Sequence, residues 1–216
     1  MGQNGITQKQ IKLNESSVFK DTSGNVIPFV VWNQLVYSGR YDFRPDKEKN
    51  TFIISRLSDE DYEKRIMAMP KPEESKFFRT GADFKHFKAT DINGNKINTK
   101  DLKGKIIVLN FWFINCPPCQ KEMPDLNLLA ESFRPDSSVI FIAVALDPKN
   151  DLKDFLRSHP FGYQVVDDGR YITDQYRINT YPTNMIIDPA GKVYFHTAGL
   201  GMNTVYNEPL SIILNI

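Results

Sequence analysis

The chain has 216 residues, 41% of them hydrophobic and 12% aromatic, which is enough apolar material for one full core and a smaller appended unit. Lys and Arg number 27 against 26 Asp and Glu, a formal net charge of +1, so no surplus of positive charge exists to neutralise a run of phosphates and nucleic acid is not an expected partner. The longest apolar stretches, Ile106 to Ile114 and Val139 to Leu146, fall far short of the ~20 residues of a membrane-spanning helix.

In chain order, residues 1 to about 16 are polar and aperiodic and read as a loose arm. Met1-Gly2-Gln3-Asn4-Gly5-Ile6 has no apolar signal-peptide core, and Ile6 stands where a myristoylation motif has Ser or Thr. Val18 to Asp21 and Val26-Ile27 flank Thr22-Ser23-Gly24-Asn25 as a small hairpin. Pro28 opens a helix through Val31, Trp32, Leu35 and Val36 that Gly39 stops. Tyr41 to Arg44 and Thr51 to Leu57 are expected as short strands. Ser58 followed by Asp59, Glu60 and Asp61 starts a helix with negative charge in its first turn. Met69-Pro70-Lys71-Pro72-Glu73-Glu74 breaks that helix as a linker, and the boundary is expected near residue 80, giving a small α+β extension at 1–80 and a main domain at 81–216.

The pattern then changes to alternating strand and helix. Phe84 to Ile97 contains a hairpin turned at Asn93-Gly94. Ile106 to Phe113 is nearly continuous in apolar residues, as in a strand covered on both faces. Met123, Leu126, Leu129, Ala130 and Phe133 recur at helical spacing. Val139 to Leu146 is a second buried strand, Asp151 to Arg157 a helix, and Met185 to Asp188 with Val193 to His196 a hairpin turned at Pro189-Ala190-Gly191-Lys192. The order predicts an α/β fold with a central mixed sheet flanked by helices.

Chemistry concentrates in the only 2 cysteines, which lie three apart in Cys116-Pro117-Pro118-Cys119, where the buried strand hands over to a helix. A disulfide here closes almost no chain and would stabilise the fold little, so its natural use is chemical. The free N–H groups and positive dipole end of the helix lower a thiol's pKa from its ordinary ~8.5. Cys116 is therefore the expected nucleophile, and Cys119, one turn later, the thiol that resolves a mixed disulfide. Pro117 and Pro118 stiffen the loop and withhold N–H donors from the sulfur. Zinc would need two more ligands. His86, His159 and His196 lack paired spacing and read as surface or edge residues, so no metal is expected.

Asn110-Phe111-Trp112, Cys116-Pro117-Pro118-Cys119, Glu122, Pro124, Tyr181-Pro182-Thr183 and Ile186-Ile187-Asp188-Pro189-Ala190-Gly191, taken together and in this order, resemble the membrane-associated bacterial thiol-disulfide oxidoreductases of the TlpA/ResA type. The resemblance covers residues 81 to 216 and implies a thioredoxin fold. It implies that Pro182 is a cis-proline opposite the cysteines, that it keeps metal from the thiols, and that it presents the backbone of Tyr181 to a bound polypeptide. Thr183, Pro117, Pro118 and Trp112 are expected around that polypeptide, although Trp112 and Phe111 read as core rather than catalytic. Glu122 is implied as the acid that assists proton transfer, a role for a carboxylate of raised pKa. Ordinary thioredoxins have a buried acid where Asn110 stands, and the family's Trp before the first cysteine is replaced by Asn115.

The resemblance further implies an extracytoplasmic protein whose signal or anchor lies outside these residues. Disulfide-containing proteins would be its partners, a membrane thiol-disulfide carrier would supply electrons, and a monomer or weak dimer is expected. No cofactor beyond the cysteine pair is expected. Two other readings stand beside this one: a peroxiredoxin-like peroxidase, whose Thr and Arg around the reactive cysteine are not recognisable before Cys116, and a binding module in which the cysteines act as a redox switch.

Overall fold

A computed structural model describes residues 13–37, 40–68, 73–199 and 213. The expected loose arm at 1–12, the helix stop at Gly39 and the linker at 69–72 lie outside these residues. The chain divides into two compact units, Met1–Ala68 and Met69–Ile216.

In the first unit, β1 (Val18–Lys20) and β2 (Val26–Ile27) form the expected hairpin, followed by α1 (Phe29–Tyr37), β3 (Tyr41–Pro45), β4 (Thr51–Arg56) and α2 (Asp59–Ala68). The strands lie in the order β2-β1-β4-β3. β1 runs parallel to β4, with Phe19 opposite Phe52. Phe19, fully buried, stacks on Trp32 at 4.2 Å and on Phe52 at 5.1 Å, so aromatic rings fill most of this small core. Ser58 caps α2 by accepting from the Asp61 N–H at 3.1 Å. The stretch expected to be loose up to about residue 16 is held at its end, because Asn50 Nδ2 donates to the Ser16 carbonyl and Ser17 Oγ to Asn50 Oδ1.

The second unit carries β5 (Lys88–Thr90), β6 (Lys96–Asn98), β7 (Ile106–Trp112), α3 (Pro117–Ser132), β8 (Val139–Ala145), α4 (Lys149–Leu156), β9 (Gln164–Val166), α5 (Arg170–Gln175), β10 (Thr183–Ile187) and β11 (Val193–Ala198). Its main sheet has the order β11-β10-β7-β8-β9, with β7, β8 and β9 parallel and β10 and β11 antiparallel. This is the expected mixed sheet. Every residue of the central strand β7 is buried. Because successive side chains of a strand point to opposite faces, Ile106, Val108 and Trp112 join Met123, Leu126 and Leu129 in one cluster, while Ile107, Leu109 and Phe111 join Ile172, Met185 and Ile187 in another. Asn110 shares the face of Trp112, toward α3.

Three of the hairpin turns use one device. At the β5–β6 turn the Asp91 N–H donates to the Asn95 carbonyl, the Gly94 N–H donates to the Asp91 carbonyl, and the Asp91 carboxylate accepts from the Asn93 and Asn95 N–H groups. Gly94 sits at φ 91°, a conformation that disfavours any residue with a Cβ. Asp21 to Asn25 repeats the arrangement, and Asp188 to Lys192 repeats its backbone bonds and the aspartate contact to the last N–H.

Three features differ from the sequence expectation. The division falls at residue 68/69 rather than near 80, because residues 73 to 84 are bonded along β11: Glu74 bridges Thr197, and Gly81 N–H and Ala82 O bond Val193. β9 and α5 form where no element was foreseen. His196, expected at the surface or an edge, does stand on the end strand β11 but is 2% exposed, and its Nδ1 accepts from the Ser75 N–H at 3.0 Å.

Candidate active site

Strand β7 ends at Trp112, and residues 113 to 115 lead to Cys116, the N-cap of α3 at φ −116° and ψ 93°. Pro117 and Pro118 occupy the first two helical positions and have no N–H. The first N–H the helix can offer is therefore that of Cys119, and it donates to Cys116 Sγ at 3.3 Å. Cys116 is disulfide-bonded to Cys119, with Cα atoms 5.2 Å apart. The helix end thus aims one backbone donor and its positive dipole at one sulfur. Asymmetry follows: in the dithiol form, a negative charge is better accommodated on Cys116 than on Cys119.

Glu122 lies three residues after Cys119 on α3, the spacing that places side chains on one face of a helix. It is 1% exposed. Its Oε1 accepts from Asn110 Nδ2 at 2.7 Å and its Oε2 from Asn184 Nδ2 at 3.1 Å, while Asn110 Nδ2 also donates to Asn184 Oδ1 at 2.9 Å. Burial pushes the Glu122 carboxyl up to about 8. The two amides pull the other way by solvating the carboxylate, and the charge of Asp125 adds to the rise. The hydroxyl of Tyr163, also buried, is pushed up by its burial and by the charge of Glu122. A carboxyl poised near neutrality thus sits one turn inside the helix from the second cysteine.

The Tyr181–Pro182 peptide is cis. Tyr181 is half-buried and meets the half-buried Phe113 edge-on at 5.4 Å. Asn184, two residues beyond Pro182, belongs to β10 and pairs with Asn110 of β7. One segment of chain therefore carries both the cis-proline and a hydrogen-bond donor to Glu122.

The sequence profile of the AhpC/TSA family matches residues 80–196, a span that contains both cysteines, Glu122 and Pro182. A thiol-disulfide oxidoreductase ResA of Bacillus cereus is 37% identical over 114 residues, 52% of this chain and 66% of that protein. The ResA of Bacillus subtilis (strain 168) is 31% identical over 134 residues, 62% of this chain and 75% of that protein. The chain belongs to the ResA-like thiol-disulfide oxidoreductases of the AhpC/TSA family. A thiol:disulfide interchange protein from Bacteroides sp. superposes with a TM-score of 0.56 at 25% identity, covering 64% of this chain and 92% of that one. The second unit accordingly has the thioredoxin fold expected from the motifs. The chain spans 66% of the B. cereus relative's length, and residues 1 to 79 precede the family match.

Within the ResA-like unit, the expected residues fall into two groups. Cys116, Cys119 and Glu122 come together with Asn110 on the α3 side of the sheet. Pro117 is exposed and Pro118 and Tyr181 are half-buried beside them. Trp112 and Thr183 are corrections to the expected polypeptide-contacting set, since both are 0% exposed. Trp112 packs on Phe155 and Phe161 in the core. The Thr183 hydroxyl turns inward to the Thr180 carbonyl at 2.8 Å. Pro182 is buried too, which leaves Tyr181 as the accessible member of its segment. Asn184 escaped the sequence reading as a site residue, although it stands in a strand of mostly apolar residues where a polar side chain needs a partner. Among the described residues, no three His, Cys, Asp or Glu side chains gather as a metal site would require.

Proposed function

We propose that the Cys116/Cys119 pair exchanges disulfides with other proteins and works as a reductase in the cell envelope. The observation that carries this reading is the disulfide at the amino end of α3, with Cys116 Sγ taking the first helical N–H and Glu122 buried one turn behind Cys119. In the reduced chain, the Cys116 thiolate attacks a substrate disulfide, forming one S–S bond and releasing one substrate thiolate. Cys119 then gives its proton to Glu122 and attacks Cys116. The Cys116–Cys119 bond forms, the second substrate thiolate leaves, and two electrons have passed from the chain to the substrate. Glu122 suits this step because a carboxyl titrating at about 8 can both accept and return a proton near neutral pH.

Tyr181, Pro117, Pro118 and Phe113 offer the accessible surface beside the sulfurs for a substrate segment, with the Tyr181 backbone available for strand-like pairing. On this reading the dithiol itself holds the electrons, no separate cofactor takes part, and a membrane thiol-disulfide carrier regenerates the reduced form. No helix among the described residues is long and apolar enough to cross a membrane, so the envelope location rests on the ResA-like relationship.

Insulin-disulfide reduction with dithiothreitol tests the reading in the intact chain, Cys116→Ser and Cys119→Ser. Turnover in the intact chain that disappears with Cys116→Ser supports it. Peroxide consumption that survives Cys119→Ser would favour a peroxidase instead. Absence of turnover in every form would favour a redox-switched binding module. A measured potential near the end of the known range at about −270 mV fits a reductase, and one near about −120 mV an oxidant.

A further inference from the structure

The residues between β7 and α3 lie outside helix and strand, yet they deliver Cys116 to the helix end. Both backbone polar groups of one residue there, Ile114, are taken by side chains. Its N–H donates to Asp147 Oδ2 at 2.7 Å, and its carbonyl accepts from Gln120 Nε2 at 2.6 Å. Asp147 lies just past the end of β8 and is itself fixed, its carbonyl accepting from the Asp168 N–H at 3.1 Å. Gln120 lies in the first turn of α3. The second contact ties the two ends of the stretch 114–120, inside which both cysteines sit. Neighbouring backbone is anchored as well, since the Leu146 N–H donates to the Trp112 carbonyl.

We propose that Asp147 and Gln120 are positioning residues that clamp Ile114 and so keep Cys116 at the N-cap of α3 when the disulfide is open. This deepens the proposed function and rests on it, because the clamp matters only if Cys116 is the attacking thiolate. The physical argument is one of competition. Without the covalent tether between sulfurs, the free loop would gain conformational entropy by leaving the N-cap. Two side-chain bonds on Ile114, one of them to a carboxylate, oppose that release. Neither residue touches the sulfur, so both act through the loop.

The two possible roles of Asp147 predict opposite signs. If its charge acted directly, removing it would ease formation of the Cys116 thiolate and lower the pH at which Cys116 reacts. If it acts as a clamp, Asp147→Ala lets the sulfur drift from the helix end, and that pH rises toward the ~8.5 of a free thiol. Asp147→Asn separates the cases, because an amide oxygen still accepts from the Ile114 N–H while the charge is gone.

The test is the pH profile of iodoacetamide alkylation of Cys116 in the 216-residue chain carrying Cys119→Ser, with folding checked by circular dichroism. Asp147→Ala and Gln120→Ala are each expected to raise the midpoint by about one pH unit, about tenfold less thiolate at neutral pH, with Asp147→Asn at or below the parent. A midpoint that falls or stays fixed in Asp147→Ala and Gln120→Ala overturns the clamp. Should Asp147→Ala fail to fold, Gln120→Ala and Asp147→Asn decide by the same criteria. A parent chain that itself titrates at ~8.5 strikes instead at Cys116 as the nucleophile, so the two failures are told apart.

Discussion

Glu122 makes the sharpest claim about how the site is built, because its burial must be visible in the stability of the protein. The carboxyl titrates at about 8 in the fold against an ordinary value of 4.5, so between these two pH values the folded chain binds more protons than the unfolded one. Stability is then fully present below the unfolded value and declines as pH rises toward the folded one. The slope for one such group is ~1.4 kcal/mol per pH unit, and ionising it completely costs the fold ~5 kcal/mol. Other groups titrate in the same range, so the informative quantity is the difference from Glu122→Gln, which keeps the shape and cannot ionise. The Gln amide forfeits one contact of the Asn110–Asn184 network, since an Asn184 turned to accept from it would set its own Nδ2 against Asn110 Nδ2, but that cost does not vary with pH.

Relative to the parent, Glu122→Gln is expected to gain ~3 kcal/mol between about pH 5 and pH 7. Hydrogen exchange of the fully buried strand β7, followed across that range, reports the second unit separately from the first. A difference between parent and variant that stays flat over those two pH units would refute the burial argument, and with it the case for Glu122 as a proton acceptor near neutrality.

Two further outcomes follow from packing and from a second buried titratable group. A Cβ added at Gly169 would collide with Val144 Cγ1 and lie 2.9 Å from the Ala145 carbonyl oxygen, so Gly169→Ala is expected to destabilise the second unit by ~1–3 kcal/mol through overpacking. Denaturant unfolding checks this, and an unchanged midpoint would contradict it. His196 titrates below 6.5 because burial disfavours its charged form, against a smaller opposing pull from Glu74. Its stabilising contribution is therefore present above the unfolded value and lost as pH falls through the folded one. The Ser75 amide resonance, whose N–H donates to His196 Nδ1, should shift with a midpoint below the ordinary 6.5, and a midpoint above it would contradict the account.

The parts of the fold legible in the sequence are those governed by local pattern. β7 announces itself as an unbroken apolar run because both of its faces are covered, and the hairpins announce themselves through Asp and Gly at fixed offsets. The cysteine pair is equally plain, since spacing and position at a strand-to-helix junction already dictate which sulfur the helix end favours. What escaped depends on partners distant in the chain. β9 is three residues long and α5 six, and the N-cap of α5 is Gly169 with no side-chain bond, so neither offers a periodic or capping signal. Residues 73 to 84 carry no pattern because backbone bonds to β11 hold them, and backbone groups are the same in every sequence. His196 stands on the edge strand as read, but its burial is invisible until Ser75, 121 positions earlier, is brought against it. The environment of Glu122 was half visible: its place on α3 could be read, but the two asparagines that solvate it come from β7 and β10 and meet only in the folded sheet.

Selective labelling of the two thiols tests the central claim most directly. The chain is reduced, treated at neutral pH with less than one equivalent of iodoacetamide, and mapped by peptide mass spectrometry. Label on Cys116 at about ten times the level on Cys119, the ratio expected if helix-end stabilisation separates the two thiols by about one pH unit, is the predicted result. Equal labelling, or a preference for Cys119, would contradict the assignment of Cys116 as the attacking sulfur.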